Sequence, residues 1–204
     1  MTSPKRLEGF GVDIVREREI ACRVQASLEG FYGIDRIADV GEFVRHGGDS
    51  RETLLVRASS DGAVEMMLEL PTLTHDLDGV CQIIEGVSHF VYVATRASQD
   101  RSATALELEM QAEVDKYVVL AGELESLDVE RSARLRERLY DRVTYLHVAD
   151  TDLGERYRIA NRAASRFLHR LETRCVSERR FGELRRELHA FFRVGQEDKL
   201  RLAA

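Results

Sequence analysis

Residues 53–70 read TLLVRASSDGAVEMMLEL, and the reading of this stretch decides the fold. Two runs of mostly aliphatic residues, 53–58 and 63–70, flank Ser59-Ser60-Asp61-Gly62. Asp-Gly supplies the positive φ angles that a tight hairpin turn needs. Pro71 has no amide hydrogen and stops further pairing. The stretch therefore predicts one β-hairpin, and no other segment offers a convincing third strand. Two strands alone are marginal in water, so the hairpin must lie on helices or pair with another copy.

Downstream, residues 72–78 read as a helix start, with Asp76 and Asp78 placed to favour the positive end of the helix dipole. The helix runs to about Ala97. Leu77, Val80, Ile84, Val87, Val91 and Ala94 recur at spacings of three and four, and Ile83 and Phe90 broaden the stripe. So wide a stripe predicts a central helix with neighbours on two sides. Upstream, residues 12–30 form an amphipathic pattern ended by Phe31-Tyr32-Gly33. Ile34, Ile37, Val40 and Val44 predict a shorter second helix, and residues 46–50 a loop.

Beyond the central helix, Asp100 or Ser102 caps a helix to Ala121, and helical patterns follow at 128–148, 155–176 and 178–194. The fold class is mainly α (α+β), a multi-helix bundle with one β-hairpin near residues 53–70. Residues 1–204 read as a single domain, with the basic helical pair 155–204 as a semi-independent extension.

Composition agrees. Only two prolines in 204 residues favour long helices. A hydrophobic share of 44% is enough to build a core and excludes a disordered chain. Cys22, Cys81 and Cys175 are odd in number and far apart, so neither a disulfide framework nor a zinc–thiolate site is expected. Residues 1–11 lack the apolar run of a secretory signal. No stretch of about 20 apolar residues could cross a bilayer. The expectation is a soluble, cytoplasmic protein with no membrane contact. Arginine outnumbers lysine 27 to 3, as in the GC-rich codon usage of some bacteria, so each arginine need not be there for its chemistry.

Three features could carry a function. Asp78, Gln82, Glu85, His89 and Arg96 share the side of the central helix opposite its apolar stripe. Glu85 and His89, four apart, can reach one ligand or proton. A metal centre would need a further group from elsewhere, and a solvated face with a weak Glu–His pair is the simpler expectation.

Glu109 and Glu113 fall among apolar residues of the next helix. Two like charges there need a cation or a proton. Lys116 is a local candidate, and an arginine of the carboxy-terminal helices is another. The third feature is the ladder Arg158, Arg162, Arg166, Arg170 and Arg174, at strict spacings of four. Residues 155–204 hold 13 Lys and Arg against 7 Asp and Glu, a net +6, while the rest of the chain carries −12. Such a pair could meet phosphates, or dock on an acidic surface of its own chain or a partner.

Gly9-Phe10-Gly11 has no strand before it, residues 86–90 miss a glycine and lie mid-helix, and a capping role accounts for Asp76 of the His75-Asp76 pair. No catalytic residue and no cofactor is therefore assigned. The leading expectation is a non-enzymatic interaction protein that recognises a protein partner or itself as a dimer. The alternative is a metal- or small-ligand-binding bundle, with an enzymatic use open to it, built on Glu85, His89, Glu109 and Glu113, with the metal unspecified. Nucleic-acid binding through the ladder is less favoured, because the whole chain carries −6.

Overall fold

The expected hairpin forms, and two further strands join it. The computed structural model describes residues 5–6, 14–48, 51–58, 64–74 and 76–204. The Asp61-Gly62 turn, the Gly9-Phe10-Gly11 motif, the start of the first helix at residues 12–13, and His75 lie outside the described residues. The chain divides into two compact units, Met1–Ser102 and Ala103–Ala204.

In the first unit, β1 (Lys5–Arg6), α1 (Val15–Tyr32), α2 (Val40–Phe43), β2 (Val44–His46), β3 (Thr53–Ala58), β4 (Val64–Leu70) and α3 (Leu77–Ala97) follow in order. β4 is the central strand. β3 pairs with it antiparallel from Thr53↔Glu69 to Ala58↔Val64. On its other edge β1 and β2 both run parallel to it, β2 with Val44 opposite Leu68 and His46 opposite Leu70.

The β4 side chains alternate as the pleat requires. Met66, Leu68 and Leu70 are fully buried, while Glu65, Met67 and Glu69 are half-buried. α3 packs on this sheet, and Gly86 permits the approach: a Cβ there would lie 2.8 Å from Leu68 Cδ1. Asp76 caps α3, accepting from the Gly79 amide at 2.9 Å. α1 lies against α3 and ends at Gly33, whose φ of +62° is the left-handed conformation that glycine adopts freely.

The second helix expected at residues 34–44 shrinks to the single turn of α2, and its end becomes β2. The cause is Gln25. Its buried side chain accepts from the Val40 amide at 2.8 Å and donates to the Ala38 carbonyl at 2.6 Å. That occupies groups a helix would need for itself. The helix after α3 also starts later than expected. Asp100, at φ +54°, instead closes α3, with the Arg101 amide bonded to the Arg96 carbonyl at 2.9 Å. Thr104 is the cap, accepting from the Glu107 amide at 3.1 Å.

The second unit comprises α4 (Ala105–Gly122), α5 (Val129–Arg136), α6 (Asp152–Leu171), α7 (Phe181–Arg193) and α8 (Gln196–Leu202). α4 is its centre, with α5, α6 and α8 against it, and every residue from 109 to 119 is buried. α5 and α6 each end in a π-helical turn, Glu137–Asp141 and Glu172–Val176. A π turn carries one extra residue, which lets the consecutive Leu139 and Tyr140 both face inward. That turn ends the helical pattern at residue 141 rather than 148, and the chain is irregular until Thr151 caps α6. No helix among the described residues is long and apolar enough to cross a membrane.

Candidate functional site

In the first unit, α3 carries Glu85 and His89 one turn apart, with ligand atoms within 4.8 Å of each other. The polar seam is not a solvated face at its centre. Asp78 is exposed, Gln82 and His89 are half-buried, and Glu85 is 2% exposed. Burial on α3 thus extends beyond the apolar stripe to the side that carries Glu85. Two groups on one turn supply an edge of a coordination shell, not a shell.

In the second unit, Glu109 and Glu113 are both buried, and each has a cation beside it. Glu113 accepts from Lys116 Nζ at 3.0 Å, and Arg156 of α6 lies 3.5 Å from Glu109. Both kinds of partner that the sequence suggested are therefore used. The four residues Glu85, His89, Glu109 and Glu113 are shared between the units, two in each.

The α4 helix holds a further polar cluster that sequence patterning did not reveal. Lys199 of α8 is fully buried and donates to Gln111 Oε1 and to the Phe191 carbonyl, both at 2.5 Å. Its ammonium also sits 4.3 Å from the Phe191 ring centre. Gln111 passes the polarity on, donating to Asp115 at 2.8 Å. Elsewhere in the unit, Tyr117 bonds to Ser132 at 2.7 Å, and Ser132 donates to Glu172 at 2.8 Å. The one visible signal was Gln111 and Asp115 four apart on a helix with no polar side.

The arginine ladder is divided by use. Arg158 lies over the Tyr145 ring and donates to the His147 and Gly154 carbonyls. Arg170 donates to the Leu202 and Ala204 carbonyls. Arg174 pairs with Glu183 at 2.6 Å and with Glu187 at 3.6 Å. The Arg174 bond, with Arg180 nearby, holds the half-buried Glu183 carboxyl below the ordinary glutamate range. Of the five ladder arginines, Arg162 and Arg166 are the exposed ones without an ion pair among the described residues.

Nucleophilic thiol chemistry finds no support at Cys22 or Cys175. Burial pushes both thiols up, away from the thiolate a nucleophile needs, and at Cys22 the Asp39 carboxylate adds to this. A shallow groove of about 420 Å³ beside α5 is lined by charges that already pair, Arg134 with Glu130 at 2.7 Å and Arg136 with Asp141 at 3.9 Å.

The remaining feature is the outer edge of β3. Its residues 53 and 55–57 are exposed, Leu55 at 40% and Val56 at 48%. Thr53, Leu55 and Arg57 share a face with Glu69, Met67 and Glu65, while Leu54 and Val56 share the helix-covered face with Leu68 and Met66. Its one charge, Arg57, pairs across the ladder with Glu65 at 2.6 Å while its side chain stays exposed. No strand among the described residues pairs with the far side of β3. Compared with known proteins, the chain matches no family, no curated sequence and no solved structure.

Proposed function

We propose that this chain is a non-enzymatic protein-interaction module that binds an extended segment along the edge of β3. The observation that carries this reading is the aliphatic edge at Leu55 and Val56. Edge strands expose unpaired amides and carbonyls, and natural proteins usually guard them with lysine, proline or a bulge. β3 has none of these: it is an unbroken six-residue ladder with β4. An extended segment added there gains main-chain hydrogen bonds for affinity and alternate side-chain contacts for specificity. The three unbridged cysteines support a reducing, cytoplasmic setting for this activity.

Panning the purified protein against a library of extended ten-residue peptides tests the reading. Selected peptides should lose binding about tenfold or more when alternate backbone amides are N-methylated, and equally with the Leu55→Lys protein. Binding indifferent to both changes, or no binder at all, would sink it.

A second reading, divalent-metal binding, is favoured by the proximity of the buried Glu85 to His89. It expects added Zn²⁺ or Mn²⁺ to raise Tm through linkage, by an amount lost in both Glu85→Gln and His89→Ala. Equal thermal curves with and without metal would dispose of it.

A further inference from the structure

We infer that the segment seated on β3 is β3 of a second copy, paired antiparallel about a twofold axis at Leu55. This rests on the edge reading above and goes further by fixing the occupant and its register. A twofold axis perpendicular to a sheet keeps each face on its own side. Opposed residues must then share parity along the strand. Two registers satisfy this over most of β3, with the axis at Leu55 or at Val56.

With the axis at Leu55, Leu55 meets Leu55 of the second copy, Leu54 meets Val56, and Thr53 meets Arg57. Aliphatic side chains oppose aliphatic ones on both faces. With the axis at Val56, Val56 meets Val56, but Leu55 faces Arg57 twice and Leu54 faces only Ala58, so fewer and smaller apolar pairs remain.

Charge favours the same choice. In the Leu55 register, Arg57 of the second copy arrives beside Thr53, whose neighbour across β4 is Glu69. Glu69 is half-buried and in no ion pair among the described residues. Two strand spacings, about 9.6 Å, separate the two backbones, a gap that an arginine and a glutamate reaching towards each other can close. Each Arg57 would then lie between Glu65 of its own chain and Glu69 of the other. No like charges face each other across the seam. The assembly is a single sheet running through both copies, closed by its symmetry so that neither β3 edge remains to recruit a third.

Light scattering on size-exclusion fractions over a wide concentration range tests this. The expected particle has twice the 23.2 kDa chain mass at high concentration and dissociates on dilution. Leu55→Lys sets two ammonium groups against each other at the axis and should weaken dimerisation about tenfold or more, with an unchanged circular dichroism spectrum. Register is read by mild oxidation against the native chain as baseline. Leu55→Cys should cross-link to itself, and Thr53→Cys to Arg57→Cys only when the two proteins are mixed.

A monomer at every concentration overturns the inference, as does a dimer indifferent to Leu55→Lys. Self-cross-linking of Val56→Cys in place of Leu55→Cys overturns the register. A monomer that still captures peptides through β3 removes the second copy while leaving the edge reading intact.

Discussion

An ammonium group at position 199 is fully enclosed, held by an amide oxygen, a main-chain carbonyl and an aromatic face. Lysine is almost never this buried unless it is paired. Removing such a group strands its acceptors in a dry interior, which typically costs about 3 kcal/mol. Lys199→Met keeps most of the apolar stem and should destabilise the protein by about that amount in urea unfolding. Adding Gln111→Leu should not recover the loss: the orphaned oxygen goes, but the buried Asp115 then loses the amide that donates to it. An unchanged midpoint for Lys199→Met would mean that water already reaches the ammonium. None of this was legible in QEDKLRL, which reads as an ordinary solvated helix end. Lys116 was legible as the partner of Glu113, because i,i+3 geometry is local. Arg156 could be anticipated only as some arginine of the carboxy-terminal helices, since its place beside Glu109 depends on how α6 packs on α4.

At the scale of elements, the hairpin and α3 were readable because their signals are local: turn chemistry, alternation and a cap at Asp76. β2 was not. Three residues carry too little pattern, and a parallel strand exists only because β4 offers an edge. The early end of α5 was hidden for another reason: a π turn shifts the inward face by one residue, which a fixed helical period cannot register. Where α3 meets the sheet, local and tertiary preferences conflict at Gly86. Alanine would favour the helix by about 1 kcal/mol. Its Cβ, however, would press on Leu68 Cδ1, with Leu70 and Glu52 also close, and overpacking costs about 1–3 kcal/mol. Gly86→Ala should therefore lower stability by about 1 kcal/mol, and Gly86→Leu by clearly more, as read from thermal unfolding. A stabilised Gly86→Ala protein would show that helix and sheet do not approach so closely.

For the molecule as a whole, the sequence told its fold class but not where its charges would settle. The uneven charge, +6 in residues 155–204 against −12 elsewhere, first suggested a basic surface for an anionic partner. Part of the excess is used within the chain, where Arg156 lies beside Glu109, while Arg174 and Arg180 pair with Glu183, an acid already counted in the +6. On the ladder itself Arg162 and Arg166 are exposed, and a phosphate-binding use of the ladder would rest on these two. The candidate ligand residues could be picked out one by one from their wheels. Their surroundings could not, since burial on every side of α3 and α4 depends on packing that no single helix encodes. The β3 edge follows the same logic in reverse: its strand was visible, but its exposure became evident only once the sheet was assembled.

The seat of Lys199 also sets an order of events during synthesis. Gln111 leaves the ribosome 88 residues ahead of the lysine that it binds. At usual elongation rates that is a delay of roughly 4–18 s. Throughout it, α4 carries polar groups meant for an interior that cannot yet close. The second unit is thus a late finisher, and a nascent chain stalled short of α8 would present an incomplete core to chaperones and proteases.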